Sequence, residues 1–432
     1  MPALTIVRRG LCGLPLLLLL ASVWAPEAAG MPAFARKYDM SCSACHAAYP
    51  RLNAFGEAFM DANYRLPNWR QAHTLETGDD RLVLPDSVPL ALRAQAWVQA
   101  RDGASQIDPV TGEETSADLD FQSPYLVKLL SSAPLSDHIS YYFYGIFAEK
   151  GGNGETVIED AWFSHDDVFG SGVGMMLGQF QVSDLMFPRE LRMTFQDLMA
   201  YRFAGITYDR GVLFSTAAGP VDIDLGAVNG NGIEQNFSVN SPGYRRPDHL
   251  FDNDSGKALF GRIGGQAGPL SVGLFGYDGS QANATGPAGT DDGSRATDKR
   301  VWGIDLAATT GGNAYWYGQV LWNRWDGFLD PGRSYDWMAA FAGVDWVRDE
   351  RWTFSALWNY GDAGDLAGTD TVYEGIDMNT LTLGASYYFM RNVKGVLEVN
   401  LDLLDPVARS GSYYTGHLRR ENYLLVGFDA AF

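Results

Sequence analysis

Leu381-Thr382-Leu383-Gly384-Ala385-Ser386-Tyr387 places apolar side chains at its odd positions and small or polar ones at its even positions. A repeat of two is that of a β-strand, whose successive side chains point to opposite faces. The pattern continues on both sides. Val393, Leu397, Val399, Leu401 and Leu403 line one face of the next segment, and Lys394, Glu398, Asn400 and Asp402 line the other. Upstream, Trp352, Phe354, Ala356 and Trp358 alternate with Thr353, Ser355 and Asn359. Segments of this kind, each about 10–14 residues long, run from Leu82 to the end of the chain and are separated by turn signals. The 432 residues include 49 Gly, 23 Phe, 21 Tyr and 12 Trp. Apolar-out, polar-in alternation with heavy aromatic use is the pattern of a transmembrane barrel. A soluble sandwich would use the same alternation, but its connections would not sort by length.

Here the connections sort. Long ones fall at 102–118, 149–156, 182–199, 230–255, 278–298, 326–334, 362–376 and 405–419. Short ones lie between them, at Gly265 to Gly268, Gly311-Gly312, Asp349-Glu350 and Arg391-Asn392 among others. Eight long loops, with both barrel ends on the short-turn side, require sixteen antiparallel strands over residues 76–432. Asp209-Arg210-Gly211 and Gly219-Pro220 both read as turns, and an even strand count makes one of them a bulge. The terminal Val426-Gly427-Phe428-Asp429-Ala430-Ala431-Phe432 reads as a closing strand. Asp222, Asp224, Asp305, Glu398 and Asp402 fall on the inward face, where they would concentrate cations. Residues 188–198 have helical spacing and would fold inward as a constriction.

Ahead of the barrel the chain changes character. Arg8-Arg9, the apolar run Leu11 to Ala21, and Ala28-Ala29-Gly30 read as a signal peptide over residues 1–30. Without that leader the formal charge moves from −20 to −21, and residues 31–75 carry five basic and three acidic groups, so the remainder stands at −23. A small basic segment before a large acidic body speaks against nucleic acid as a partner, and the opposite signs favour docking of one on the other.

That small segment contains Cys42-Ser43-Ala44-Cys45-His46. Two thiols at this spacing can add across the two vinyl groups of one haem, and the adjacent imidazole then becomes the proximal iron ligand. Cys12 lies in the leader, so the mature chain keeps only these two cysteines. Zinc would need four protein ligands where two thiolates and His46 supply three, and no βαβ context for a redox dithiol follows. The sequence therefore predicts one covalently bound haem c on residues 31–75. A helix is expected over Arg51 to Tyr64, with Phe34, Phe55 and Phe59 as haem cover. For the sixth ligand the candidates are Met60 and His73. On one unbroken helix Met60 would lie ~21 Å from His46, so it serves the same iron only if the chain reverses at Pro50.

Pro32-Ala33-Phe34-Ala35-Arg36-Lys37-Tyr38 before the motif and Tyr49-Pro50-Arg51-Leu52-Asn53-Ala54-Phe55-Gly56 after it resemble the fused cytochrome–porin family that includes the outer-membrane iron oxidases of iron-oxidising bacteria. The resemblance implies an iron:cytochrome c oxidoreductase role: Fe(II) or another extracellular donor gives up electrons, and a periplasmic cytochrome receives them. It carries over Cys42, Cys45 and His46. It also implies an outer-membrane barrel in contact with lipid, with the haem segment at the periplasmic side or inside the barrel. The alternatives are a cation-selective porin with a haem-bearing plug, electron export to an extracellular acceptor, and a peroxidase-like enzyme with an open sixth position.

Overall fold

The computed structural model describes residues 33–66, 74–75, 77–79, 81–82, 84–85, 89–102, 106–107, 114–115, 119–149, 157–230, 256–283, 295–369, 377–390, 392–404 and 422–432. The signal peptide and His73 lie outside the described residues. Sixteen strands form one closed antiparallel barrel. They are β1 (Leu90–Asp102), β2 (Leu119–Pro134), β3 (Ile139–Glu149) and β4 (Val157–His165). Next come β5 (Gly174–Gln181), β6 (Tyr208–Ala218), β7 (Val221–Val228) and β8 (Ala258–Ala267). β9 (Leu270–Asn283), β10 (Arg295–Thr310), β11 (Ala314–Asp326) and β12 (Ser334–Val347) follow. β13 (Trp352–Asp362), β14 (Met378–Met390), β15 (Val393–Asp402) and β16 (Asn422–Ala431) complete the wall. Each strand pairs with its neighbour in sequence, and β16 closes on β1 with Val426 opposite Val98. At that seam Leu92 and Phe432 exchange both backbone hydrogen bonds, at 2.6 and 2.8 Å.

Burial confirms the direction of the alternation. On β13, Trp352 and Trp358 are 39% and 38% exposed, while Thr353 and Asn359, the residue after each, are 1% and 0% exposed. The apolar face looks out and the polar face looks in, the reverse of a soluble sheet. Exposed Trp316, Trp346 and Trp352 stand beside the short turns at 311–313 and 348–351, where amphipathic rings suit a membrane–water boundary. Asp209-Arg210-Gly211 lies within β6, and Gly219-Pro220 is the turn, with Gly219 in the left-handed region at φ 66°.

Three short helices lie in the N-terminal segment: α1 (Ala33–Tyr38), α2 (Cys42–Cys45) and α3 (Ala54–Asp61). The helix expected over residues 51–64 is shorter than the sequence suggested. Arg51–Leu52 instead pairs with His46–Ala48, and α3 begins only after Asn53, whose Oδ1 accepts from Gly56 N at 2.9 Å. An asparagine in extended conformation that caps N3 starts a helix rather than continuing one. The chain thus reverses at Tyr49-Pro50.

The connection 182–207 does fold inward, but its backbone follows a different course from the helix expected over 188–198. It makes 3-10 turns at Val182–Leu185 and Arg189–Leu191, then a short helix α4 (Ala200–Ala204). The cause is capture by the wall. Glu398 accepts from Phe195 N at 2.6 Å and Gln196 N at 2.9 Å; Asn359 accepts from Met199 N at 2.9 Å and donates to Asp197 O at 3.0 Å. Those amides are committed to side chains, so they are not available for i→i−4 bonds. At the end of α4, Trp337 Nε1 donates to Phe203 O at 2.9 Å and Lys299 Nζ to Gly205 O at 2.6 Å, satisfying carbonyls a helix terminus leaves open.

Two expectations about the lumen are corrected. Glu398 is fully buried as the anchor of this loop, and Asp305 is buried in a pair with Arg262 at 2.7 Å, so neither is a free cation-gathering group. The interior is also less polar than the alternation suggested. Leu198, Met199, Phe203 and Ile206 of the loop pack against Leu321, Trp325, Trp337 and Leu357 of the wall, and this hydrophobic core sits inside the barrel.

Candidate functional site

The N-terminal segment lies in the mouth of the barrel on the short-turn side, and each anchor that holds it is a group close to that rim. Arg51 enters the lumen and pairs with Asp345, its guanidinium 4.9 Å from the Tyr317 ring and 5.0 Å from that of Phe187. Tyr49 O accepts from Tyr388 Oη at 2.7 Å and from Lys394 Nζ at 2.9 Å. Farther along, Ser164 Oγ donates to Asn63 Oδ1 at 2.5 Å, and the fully buried Arg65 donates to Ile139 O at 2.8 Å. Two arginines of the segment thus meet a carboxylate and a carbonyl of the wall, while its Tyr49 carbonyl and Asn63 amide accept from wall donors.

Between segment and wall lies a cavity of ≈ 210 Å³. Cys42, Cys45, His46 and Met60 all line it, with Phe34 and Phe59. The reversal at Tyr49-Pro50 brings Met60 to the cavity that His46 enters. Met40 lines it too, whereas Phe55 is exposed and takes no part. His46 Nδ1 donates to Pro50 O at 3.0 Å, which fixes the ring. Burial holds this imidazole below its ordinary value, so it is neutral at pH 7 and able to ligate. α2 and α3 touch at Gly56, where an added Cβ would stand 2.1 Å from Cys45 O. That position has to be glycine for the two thiols and Met60 to share one cavity.

The opposite wall is built by the barrel and its inward loop: Arg93, Lys128, Tyr142 and Tyr144 from β1, β2 and β3, with Glu190 and Leu191 from residues 182–207. Arg93 makes two bonds to Asp429, at 3.1 and 2.9 Å, and one to Glu190 at 3.2 Å. Lys128 bonds Glu159 at 2.6 Å and Glu190 at 3.0 Å. Burial alone would raise the Glu190 carboxyl, but Lys128, Arg189 and Arg93 hold it below the usual carboxylate range and keep it charged. Glu190 and Leu191 belong to the stretch 188–198 expected to fold inward, but the strand residues of this wall were not expected from sequence; for Arg93 and Lys128 the signal was a basic residue at an inward position of an alternating strand.

Among the described residues no three His, Cys, Asp or Glu side chains converge as a site for a bare metal ion. The donor set is instead two thiols, an imidazole and a thioether, around a mostly apolar space, groups that fit a covalently held haem.

In structure the chain is similar to outer-membrane channels. An anion-selective porin from Comamonas acidovorans aligns at 15% identity over 80% of this chain and 99% of its own, with a TM-score of 0.52. The outer membrane channel DcaP of Acinetobacter baumannii aligns at 13% identity over 80% of this chain and 97% of its own, with a TM-score of 0.54. OmpF of Salmonella typhi, in complex with daunomycin, aligns at 12% identity over the same shares, with a TM-score of 0.52. The sequence matches no described family profile and no curated protein. At these identities the likeness is one of fold, a porin-like barrel of sixteen strands.

Proposed function

We propose that the chain is an outer-membrane electron-transfer barrel that takes electrons from extracellular Fe(II) and passes them to a periplasmic cytochrome, with one haem c as carrier. The observation that carries this reading is the convergence of Cys42, Cys45, His46 and Met60 on one cavity in the barrel mouth. A haem bound there would exchange single electrons between its ferrous and ferric states. Cys42 and Cys45 would hold it covalently, His46 would ligate through Nε2, and Met60 would be the sixth ligand. Phe34 and Phe59, 5.3 Å apart and edge to face, add apolar surface to that space. The signal peptide and the lipid-facing exterior support insertion in an outer membrane, with the short-turn mouth on the periplasmic side. Stopped-flow mixing of purified protein with Fe(II), followed at the haem absorption bands, tests the reading. Absence of reduction on any timescale would refute Fe(II) as donor.

Met60→Ala is expected to lower the reduction potential and to convert the haem towards high spin, because a thioether ligand favours the ferrous form. An unchanged spectrum in the Met-to-iron charge-transfer region would transfer the assignment to His73 or Met40.

The porin fold favours a second reading, a cation-selective channel. The core packed inside the lumen separates the two. With residues 182–207 and the N-terminal segment in place, conductance in planar bilayers should be at least tenfold below that of an open sixteen-strand porin. Porin-like conductance with haem intact would favour the channel.

Charge at the mouth gives a further test. Asp222 is exposed and Asp224 half-buried, and burial, helped by their charge, raises the Asp61 carboxyl of the segment above its ordinary value. Carboxylates grouped this way raise the local cation concentration, an effect screened over ~8–10 Å at moderate salt. The Asp222→Asn/Asp224→Asn variant should therefore be reduced by Fe(II) more slowly than wild type and respond less to ionic strength, at unchanged potential. Equal rates and equal salt slopes would show that these groups only solvate the mouth.

A further inference from the structure

The wall that faces the thiols holds one carboxylate in an unusual number of hands. Among the described residues that line the cavity, Arg93 and Lys128 are the only Lys or Arg side chains and Glu190 is the only carboxylate. Arg93 Nη1 and Tyr144 Oη both donate to Glu190 Oε2, at 3.2 and 3.1 Å, while Lys128 Nζ donates to Oε1 at 3.0 Å. Two cations and a phenol thus grip both oxygens of one acid through charge-assisted bonds. The other acids of the network differ from Glu190. Glu159 of β4 and Asp429 of β16 are buried in the barrel wall, where Glu159 holds Lys128 at 2.6 Å and Asp429 holds Arg93 through two bonds. Each is also shared with a further cation, Glu159 with Arg189 at 3.1 Å and Asp429 with Lys394 at 3.7 Å, so neither is the private counter-ion of its lining cation. Glu190 comes from the inward loop rather than the wall, and its side chain is 23% exposed.

We infer that Arg93, Lys128 and Tyr144 form a carboxylate-binding site for the macrocycle, and that Glu190 fills this site until one of the macrocycle's own carboxylates replaces it. The inference rests on the haem reading above. Protoporphyrin IX carries its two vinyl groups on one edge and its two carboxylates on the opposite edge. The cavity has the matching division: α2 supplies two thiols on one side, and β1, β2 and β3 supply Arg93, Lys128 and Tyr144 on the other. No covalent bond forms or breaks in the exchange, since one carboxylate takes over the donors of another. Two carboxylates on the same three donors would repel each other, which is why the resident acid has to yield. Glu190 is the acid placed to do so, because Glu159 and Asp429 stay with Lys128 and Arg93 and keep both cations paired in its absence.

The test compares two porphyrins on mature full-length chain prepared without haem and refolded in detergent. Closure is checked by gel migration before and after boiling, which differs for closed barrels. Ferric protoporphyrin IX and its dimethyl ester, whose carboxylates are masked, are titrated without reductant, so that binding is read from the absorption bands apart from thioether formation. Wild type should bind the acid at least tenfold more tightly than the ester. Arg93→Gln and Lys128→Gln should each shrink that ratio at least threefold; partition of the porphyrins into detergent is common to every variant and cancels in the comparison. Glu190→Gln should bind the acid at least threefold more tightly than wild type and the ester equally well, because the resident carboxylate no longer competes. A merely structural Glu190 gives no such gain. If Arg93→Gln or Lys128→Gln fails to close, wild type and Glu190→Gln decide the matter with the two porphyrins alone. Equal affinity of wild type for acid and ester, or a Glu190→Gln variant that binds the acid no more tightly, would overturn the inference while leaving the haem reading intact. Binding of neither porphyrin would instead remove the haem reading, and this inference with it.

Discussion

The Cys42→Ala/Cys45→Ala variant is expected to lose all covalently bound haem, and each single variant to retain one thioether bond. The expectation rests on count and on place. After the leader the chain has no other cysteine, and both thiols line the cavity into which His46 projects. Haem staining after denaturing electrophoresis is the measurement, since only a covalent bond survives it. The barrel should still form in this variant if its wall and the anchors at Arg51 and Arg65 suffice, because neither anchor involves a thiol. Far-UV circular dichroism and heat-modifiable migration report on that point independently of haem. A double variant that still stains would end the haem c assignment. One that folds, binds haem reversibly through His46 and shifts its absorption bands would show that the cavity, rather than the thioether bonds, selects the cofactor.

The strands were legible because burial in a barrel wall obeys a local rule. Lipid on one side and lumen on the other impose a period of two, so Trp352, Thr353 and their successors declare their faces without reference to any distant residue. The count of sixteen followed from loop lengths, another local property. That Cys42, Cys45 and His46 lie together was legible for the same reason, since they are neighbours in sequence. What could not be read was whatever the closed wall decides. The path of residues 182–207 depends on Glu398, Asn359, Lys299 and Trp337, which come near only when distant strands are assembled. Glu398 looked like an open acid because its sequence neighbours alternate cleanly; its partners are two amides about two hundred positions away and the Tyr423 hydroxyl of the next strand. On β11, Tyr317, Leu321 and Trp325 face inward, where the inserted loop gives them apolar partners that no local pattern announces. The wall of the cavity beside His46 is the extreme case, since Arg93 and Ala431 come together there only through the final seam.

Arg51→Met is expected to unseat the N-terminal segment, and Arg51→Met/Asp345→Leu to restore much of the loss. Arg51 joins three parts of the molecule: the segment that carries it, the inward loop through Phe187, and the wall through Asp345, Tyr315 and Tyr317. The two side chains are 5% and 0% exposed, so water cannot take over from either partner. Asp345 Oδ1 has no hydrogen-bond partner among the described residues, which makes Arg51 the main support of that carboxylate. Removing one member of a buried ion pair leaves an uncompensated charge and typically costs about 3–5 kcal/mol, whereas replacing both with apolar groups of similar volume is often close to neutral. The single variant should therefore show protease cleavage within residues 31–75 under conditions where wild type resists, together with a lower heat-modification temperature. Arg51→Lys should behave more like the methionine variant than like wild type, because an ammonium cannot stack flat on Tyr317 and Phe187. If the double variant is as easily cleaved as the single one, the guanidinium holds the segment through its aromatic contacts and the ion pair is incidental. If all three variants resist like wild type, the carbonyl anchors at Tyr49 and Arg65 are enough to keep the segment in the mouth.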